Sequence, residues 1–566
     1  MCRATRVAAV LVLCVVASDV LGVFTGVVRT AQGRVRGLRS VSGQNRFYGI
    51  PYAVSKRFQP PQDPPPWQGV FNAVRRYSAC AQSISLLTLG SEQCLHLDVY
   101  SPSTPPRPLP VLVFIHGGAY YYGMKAHYDP EFLVTKGTVA VVINYRVGAL
   151  GFLCVDGVAN LGLKDQVAAL KWIRKNIAAF GGDPDNVTIS GQSAGASAAA
   201  MHFLSPSSKG LFHKAILLSG TPLAPWAFNV EPLEPALEDA NKLRTARTPE
   251  EVLRVFTEAP LRDLLRATRD TSINSKYFKY SPCVETNSSD PFFPGTPYEI
   301  LKSGNFNKVP MIVGSADVEG MLFYGLHNER TFKDFDSNFI DKLPSVFSWC
   351  SEKDRQMISD KMRRHYFGRD PITRKQIKGV VDYYSDWIAY SNIHAFSQLM
   401  VEVSEQPVYN YIFSYEGGRN FAKSIFGSRT GMKGASHSDD IFYVFKPAGL
   451  SLLLSNEDKL FIDQLTTMLT NFMKTGNPTP SPTHLLPVSW PPGTHNSSLS
   501  LRLARRLSVT SYPGRLRGGF WGSLLCEHGA PGFVPCEARG GVRGEGSGDG
   551  CDQLVTEVSS SKANDM

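Results

Sequence analysis

Short apolar runs, too brief for helices and bounded by turn residues, recur along this chain and constrain its fold more than any other feature. Residues 111–115, 139–144, 187–190, 215–218, 309–313 and 408–413 are of this kind. A strand with one wet face alternates apolar and polar residues. These runs hardly alternate, so they read as strands buried on both faces. Between them lie helical patterns, clearest over 163–179, where Val167, Leu170, Ile173 and Ile177 recur at spacings of three and four. Strands alternating with helices predict an α/β fold, a large and mostly parallel central sheet flanked by helices on both faces. The mixed stretches 231–269 and 331–378 are expected to be helical insertions, and no internal repeat points to a solenoid.

Composition supports a packed core. The 566 residues are 43% hydrophobic and 19% charged, which excludes a coiled coil, a collagen-like chain and a disordered chain. The formal charge of +10 comes from basic residues scattered in pairs such as Arg75-Arg76, Arg363-Arg364 and Arg505-Arg506. A nucleic-acid partner needs them gathered on one face, so none is expected.

The first residues are basic (Arg3, Arg6), residues 7–17 are apolar, and Ser18-Asp19-Val20-Leu21 lead to a small residue, Gly22. This is the pattern of a secretory signal peptide, 1–22, with an apolar run too short to span a bilayer. No later stretch is long and apolar enough to span either, so a secreted, extracellular protein is expected. Cys2 and Cys14 leave with the leader. Cys80, Cys94, Cys154, Cys283, Cys350, Cys526, Cys536 and Cys551 remain, enough for a few staples on a large core. Cys80 and Cys94 lie close in sequence and are the best candidate pair. No Cys/His spacing fits zinc, so no metal is expected. Of the sequons, Asn287 and Asn496 lie in turn-like stretches and are expected to carry glycans, while Asn186 leads into an apolar run and is expected to be sheltered. Residues 526–566 turn Gly-rich and read as a disordered tail.

Gly191-Gln192-Ser193-Ala194-Gly195 is the chain's single GxSxG. By itself the motif is weak, but an apolar strand precedes it and a helix-forming Ala-Ser-Ala-Ala-Ala stretch follows. Strand, tight turn and helix form the elbow that exposes a serine oxygen above a sheet. A serine hydroxyl needs a base, and the base an orienting acid. In this architecture the chain order is serine, acid, histidine. His437, in Gly434-Ala435-Ser436-His437-Ser438, fits best as base. Asp317 and Glu319, after the run 309–313, are both candidates for the acid, since catalytic groups gather at the carboxyl edge of a sheet. His116-Gly117-Gly118-Ala119 follows another strand, where N–H donors for an oxyanion are carried. Ala194, directly after the serine, supplies a further N–H.

These residues resemble the type-B carboxylesterase/cholinesterase family of the α/β-hydrolase fold. The resemblance runs from about Val23 to Leu525 and includes Phe47-Tyr48-Gly49-Ile50-Pro51-Tyr52-Ala53, Ser91-Glu92-Gln93-Cys94-Leu95, the HGGAY loop, Asn144-Tyr145-Arg146-Val147-Gly148, the elbow, Glu319-Gly320 and the Gly434–His437 loop. It implies a catalytic domain over 23–525, with Ser193 as nucleophile, His437 as base and Glu319, not Asp317, as acid. It also implies oxyanion donors at Gly118, Ala119 and Ala194, a Cys80–Cys94 disulfide, and ion pairs Arg57–Glu92 and Arg146–Asp165. The reaction it implies is hydrolysis of a small apolar carboxylic ester through an acyl-enzyme, with no cofactor.

Two departures narrow this reading. Cholinesterases carry a tryptophan in the loop before the SEDC-like cysteine, whereas residues 81–93 here have no aromatic residue, so an acetylcholine hydrolase is not expected. GQSAGA in place of the commoner GESAGA resembles insect juvenile-hormone esterases and lepidopteran antennal and gut esterases. The substrates it points to are a juvenile hormone, an odorant acetate or a xenobiotic ester. Tyr120, Tyr121 and Tyr122 either line the gorge or are ordinary half-buried aromatics. The competing reading is a catalytically silent binding or adhesion protein on the same fold.

Overall fold

Every residue of the strand Leu109–Ile115 is buried, and its side chains leave alternately to two cores. Leu109, Val111, Val113 and Ile115 enter one core, while Leu112 and Phe114 enter the other. Val139–Ile143 divides in the same way. This is the physical meaning of the missing alternation: both faces of the sheet are covered, so neither set of positions needs to be polar. A fully buried aliphatic side chain of this kind contributes about 1.5–3 kcal/mol.

The computed structural model describes residues 23–528, except 77, 85–86, 105–107, 156, 270–277, 286–290, 349, 448–453, 496 and 513. The expected leader 1–22 and the sequons at Asn287 and Asn496 lie outside the described residues. So does the tail beyond 528. The helix Gly514–His528 runs past the boundary at 525 read from composition. Fully buried Trp521 and buried Leu524 anchor it to the core, and Cys350 Sγ donates to the His528 carbonyl at 2.9 Å.

Among the described residues the main sheet has 13 strands. From one edge its order is Val23–Arg29, Arg34–Arg39, Asn45–Pro51, His96–Ser101, Val139–Ile143, Leu109–Ile115, Gly182–Gln192, Lys214–Leu218, Met311–Ala316, Val408–Phe413, Leu499–Leu503 and Ser508–Ser511, with Val70–Asn72 paired to Arg34–Arg39. Pairing is parallel from Val139–Ile143 through to Leu499–Leu503 and antiparallel at both ends. The strands from Val139–Ile143 to Leu499–Leu503 therefore present their carboxyl ends to one edge, while short Val70–Asn72 pairs in parallel with Arg34–Arg39.

The helix Leu161–Asn176 buries Leu163, Val167, Leu170 and Ile173 against the first core. It tightens into the turn Ile177–Phe180 and stops at Gly181, whose φ of 85° suits glycine. The helix Asn456–Thr475 covers the opposite face through Phe461, Leu465, Met468 and Phe472. The first insertion folds as helices Leu233–Asn241, Pro249–Glu258 and Leu261–Ala267. The second includes Glu329–Ser337 and Glu352–Phe367.

Candidate active site

The strand Gly182–Gln192 ends one residue before Ser193, and the helix Ala194–Leu204 begins one residue after it. Ser193 has φ 58° and ψ −128°, a conformation that costs a non-glycine residue on the order of 1–3 kcal/mol. The turn is held because the Ser193 N–H donates to the Leu218 carbonyl at 2.8 Å. It also needs bare neighbours. A methyl on Gly191 would stand 2.1 Å from the Gly195 carbonyl oxygen, and one on Gly195 would stand 2.2 Å from that of Ile115.

The strand Met311–Ala316 leads into the turn bearing both candidate acids. Glu319 is fully buried. Its Oε1 accepts from Ser219 Oγ at 2.6 Å and from the Ala316 N–H at 2.8 Å, and its Oε2 accepts from His437 Nδ1. Asp317 does a different job: its Oδ1 accepts the Ala435 N–H at 2.7 Å. Together with the Val318 N–H on the Ala435 carbonyl at 3.0 Å, it pins the histidine loop to the turn. Of the two candidates, only Glu319 touches the imidazole.

Burial pushes the His437 imidazole down, but the Glu319 carboxylate, with Asp440 and Asp439 beyond it, raises it above the ordinary value of 6.5. With Nδ1 bound to a carboxylate, the neutral ring carries its proton on Nδ1 and a lone pair on Nε2. Ser193 is half-buried, and its Oγ has no hydrogen-bond partner among the described residues. The Nε2 edge faces the Gln192 side-chain amide at 3.3 Å. Bonds of this type tighten when substrate is bound. Phe323 stands 5.8 Å from the imidazole, ring to ring, and stacks on Tyr384, giving the site an aromatic wall.

The loop after Leu109–Ile115 lies against the elbow. A methyl built on Gly117 would stand 3.1 Å from Ser193 Cβ. Gly118 has φ 116°, and Ala119 and Tyr120 have φ 53° and 62°. This left-handed turn lets Tyr121 and Tyr122 both donate to the Gly118 carbonyl, at 2.9 and 3.1 Å. The N–H groups of Gly118, Ala119 and Ala194 have no protein acceptor among the described residues. Ala194 also opens a helix, where the backbone dipole favours negative charge. The three tyrosines part company. Tyr120 is buried against Phe152 at 4.9 Å, Tyr121 Oη accepts from the Tyr280 N–H at 3.2 Å, and Tyr122 is 46% exposed.

Around this centre, ion pairs hold loops. Arg57 grips Glu92 at 2.6 Å, and Arg146 clamps buried Asp165 through Nε at 2.8 Å and Nη2 at 2.7 Å. Cys80 and Cys94 are disulfide-bonded, as are Cys154 and Cys283. Asn186 is half-buried and accepts from Lys214 Nζ at 2.7 Å.

Ser219 was not legible as a site residue. It follows the strand Lys214–Leu218 at the same carboxyl edge, with φ 58°. That edge position, before Gly220, was the available signal. Asp440 is a second such residue, buried behind the imidazole with Tyr411 Oη donating to its Oδ2 at 3.1 Å. Among the described residues no helix is long and apolar enough to cross a membrane, and no cluster of His, Cys, Asp and Glu could hold a metal ion.

Comparison with known proteins accords with this fold. Residues 25–521 match the carboxylesterase family. The chain is 33% identical to Esterase FE4 of Myzus persicae over 470 residues, 78% of this chain and 82% of that protein. It is 32% identical to the juvenile hormone esterase of Tribolium castaneum over 497 residues, 80% of this chain and 84% of that one. The crystal structure of juvenile hormone esterase from Manduca sexta with OTFP covalently attached superposes with a TM-score of 0.80 at 27% identity, covering 88% of this chain and 99% of that one. With its mostly parallel sheet, serine elbow and α/β-hydrolase relatives, the chain belongs to the carboxylesterase family and is a carboxylic-ester hydrolase.

Proposed function

We propose that this protein is a secreted serine carboxylesterase working through Ser193, His437 and Glu319. The observation that supports it most is the buried Glu319–His437 bond beside the serine elbow, flanked by N–H groups without acceptors among the described residues. Ser193 Oγ attacks the ester carbonyl while His437 Nε2 takes its proton. Glu319 stabilises the resulting imidazolium and stays ionised. The oxyanion forms among the N–H groups of Gly118, Ala119 and Ala194, each worth about 2.7–4 kcal/mol to the transition state. His437 then protonates the leaving alcohol, and water, activated by the same ring, releases the acid.

The substrate class proposed is an apolar ester, with the Phe323–Tyr384 wall receiving one of its arms. Juvenile hormone, odorant acetates and xenobiotic esters all fit this description, and the two insect relatives are nearly equal in identity. Secretion rests on the leader pattern, with two disulfides consistent with it.

The test is turnover of p-nitrophenyl acetate and naphthyl acetate by the purified protein and by Ser193→Ala, with organophosphate labelling of Ser193. Activity unchanged in the variant refutes the mechanism, and no adduct on active protein refutes the nucleophile. A kinetic comparison of juvenile hormone with short acetates then ranks the substrates.

A further inference from the structure

Gln192 precedes the serine and is 5% exposed. Its side-chain Nε2 lies 2.7 Å from Ser438 Oγ and 3.3 Å from His437 Nε2, and a methyl built on Gly117 would stand 3.1 Å from its Oε1. The amide thus spans the space between the donor loop and the imidazole. The orientation is chemically determined. Nε2 of a ring protonated on Nδ1 offers only a lone pair, so an N–H must face it. Ser438 reaches the amide from a left-handed backbone, φ 70°, which a non-glycine residue adopts at a cost.

We propose that Gln192 is a positioning residue: its amide, anchored on Ser438, holds His437 by the Nε2 edge in the proton-accepting form and yields that edge to Ser193 when substrate binds. This rests on the triad reading above. An N–H facing Nε2 is compatible with the neutral ring and opposes the imidazolium, whose Nε2 is itself a donor. The amide then retains Ser438 as its partner. A glutamate at the same position would do the opposite: its carboxylate would accept from a protonated Nε2, stabilise the imidazolium at rest and compete with the serine for the ring. The other charged groups facing the ring are Glu319, across the loop, and Asp440 and Asp439 on its own segment. All are present in every variant below.

The experiment is the pH profile of kcat/KM on p-nitrophenyl acetate for wild type, Gln192→Ala, Ser438→Ala and Gln192→Glu, each normalised to Ser193 sites titrated with an organophosphate. The acidic limb is expected to rise by under about one pH unit in either alanine variant, which lacks the donor or its anchor, and by about 1–3 units in Gln192→Glu, where a carboxylate is added beside the ring. A side chain that only packs would lower kcat without moving the limb. A limb that stays put in Gln192→Glu, with Ser193 fully titratable, overturns the proposal and leaves the triad intact. Should that variant not fold, unmoved limbs in both alanine variants overturn it. Failure of wild type to label at Ser193 sinks the triad reading instead.

Discussion

Replacing Glu319 by glutamine tests the orienting role of the buried carboxylate with one atom changed. The carboxylate has three donors: Ser219 Oγ, the Ala316 N–H and His437 Nδ1. The first two share Oε1, so the glutamine carbonyl oxygen can take that place and keep both bonds. An NH2 group then faces Nδ1. Two donors cannot face each other, so the ring must move its proton to Nε2, the atom proposed to receive the serine proton. The imidazolium formed in the transition state also loses its counter-charge. The corresponding acid-to-amide change in a serine-protease triad costs about 10⁴-fold in kcat, equivalent to about 5.5 kcal/mol of barrier, and a loss of that order is expected for Glu319→Gln. The assay is p-nitrophenyl acetate hydrolysis at pH 8 alongside thermal unfolding, which should show a folded protein because the Ser219 and Ala316 bonds survive. A kcat within tenfold of wild type, in a folded variant, would refute the orienting role.

Ser219→Ala removes one bond to the same carboxylate; a hydrogen bond to a charged group contributes about 1.5–3 kcal/mol, so urea unfolding should show a loss in that range, with a fall in kcat. Arg146→Ala strands the buried Asp165 charge and should cost about 3–5 kcal/mol in the same measurement; a loss under 1 kcal/mol would show that Asp165 finds another partner. Burial, with the Glu319 charge adding to it, pushes the Asp440 carboxyl up to about 7 from 3.8. The folded state therefore keeps a proton that the unfolded chain releases, and this group's contribution to stability falls as pH rises across that window. Asp440→Asn is expected to gain stability relative to wild type between pH 4 and 7, and a gap that does not change with pH would contradict this.

Much of the architecture was legible because burial on both faces leaves a signature in the residues themselves. The runs at 111–115 and 139–144 and the spacing of Val167, Leu170 and Ile173 each report a local environment. So does the elbow, since strand, bare glycines and small-residue helix are all contiguous around Ser193. The histidine loop could be found from its order in the chain and its setting, but the choice between Asp317 and Glu319 could not be made from the turn alone. Both follow the same strand, and only their directions separate them: one carboxylate bonds the backbone of Ala435 and the other the imidazole.

Sequence alone determined most of the central parallel strands, the clearest helix and where a strained serine can sit, because those outcomes depend on neighbours a few residues away. Tertiary structure decided what meets across long separations. It brought Ser219 to Glu319, Gln192 to His437 and Ser438, Cys154 to Cys283, and Asp440 to Tyr411. The physical reason is that a hydrogen bond or a disulfide depends on the direction and distance of two side chains, which are set by how strands stack in the sheet and where each loop turns at its carboxyl edge.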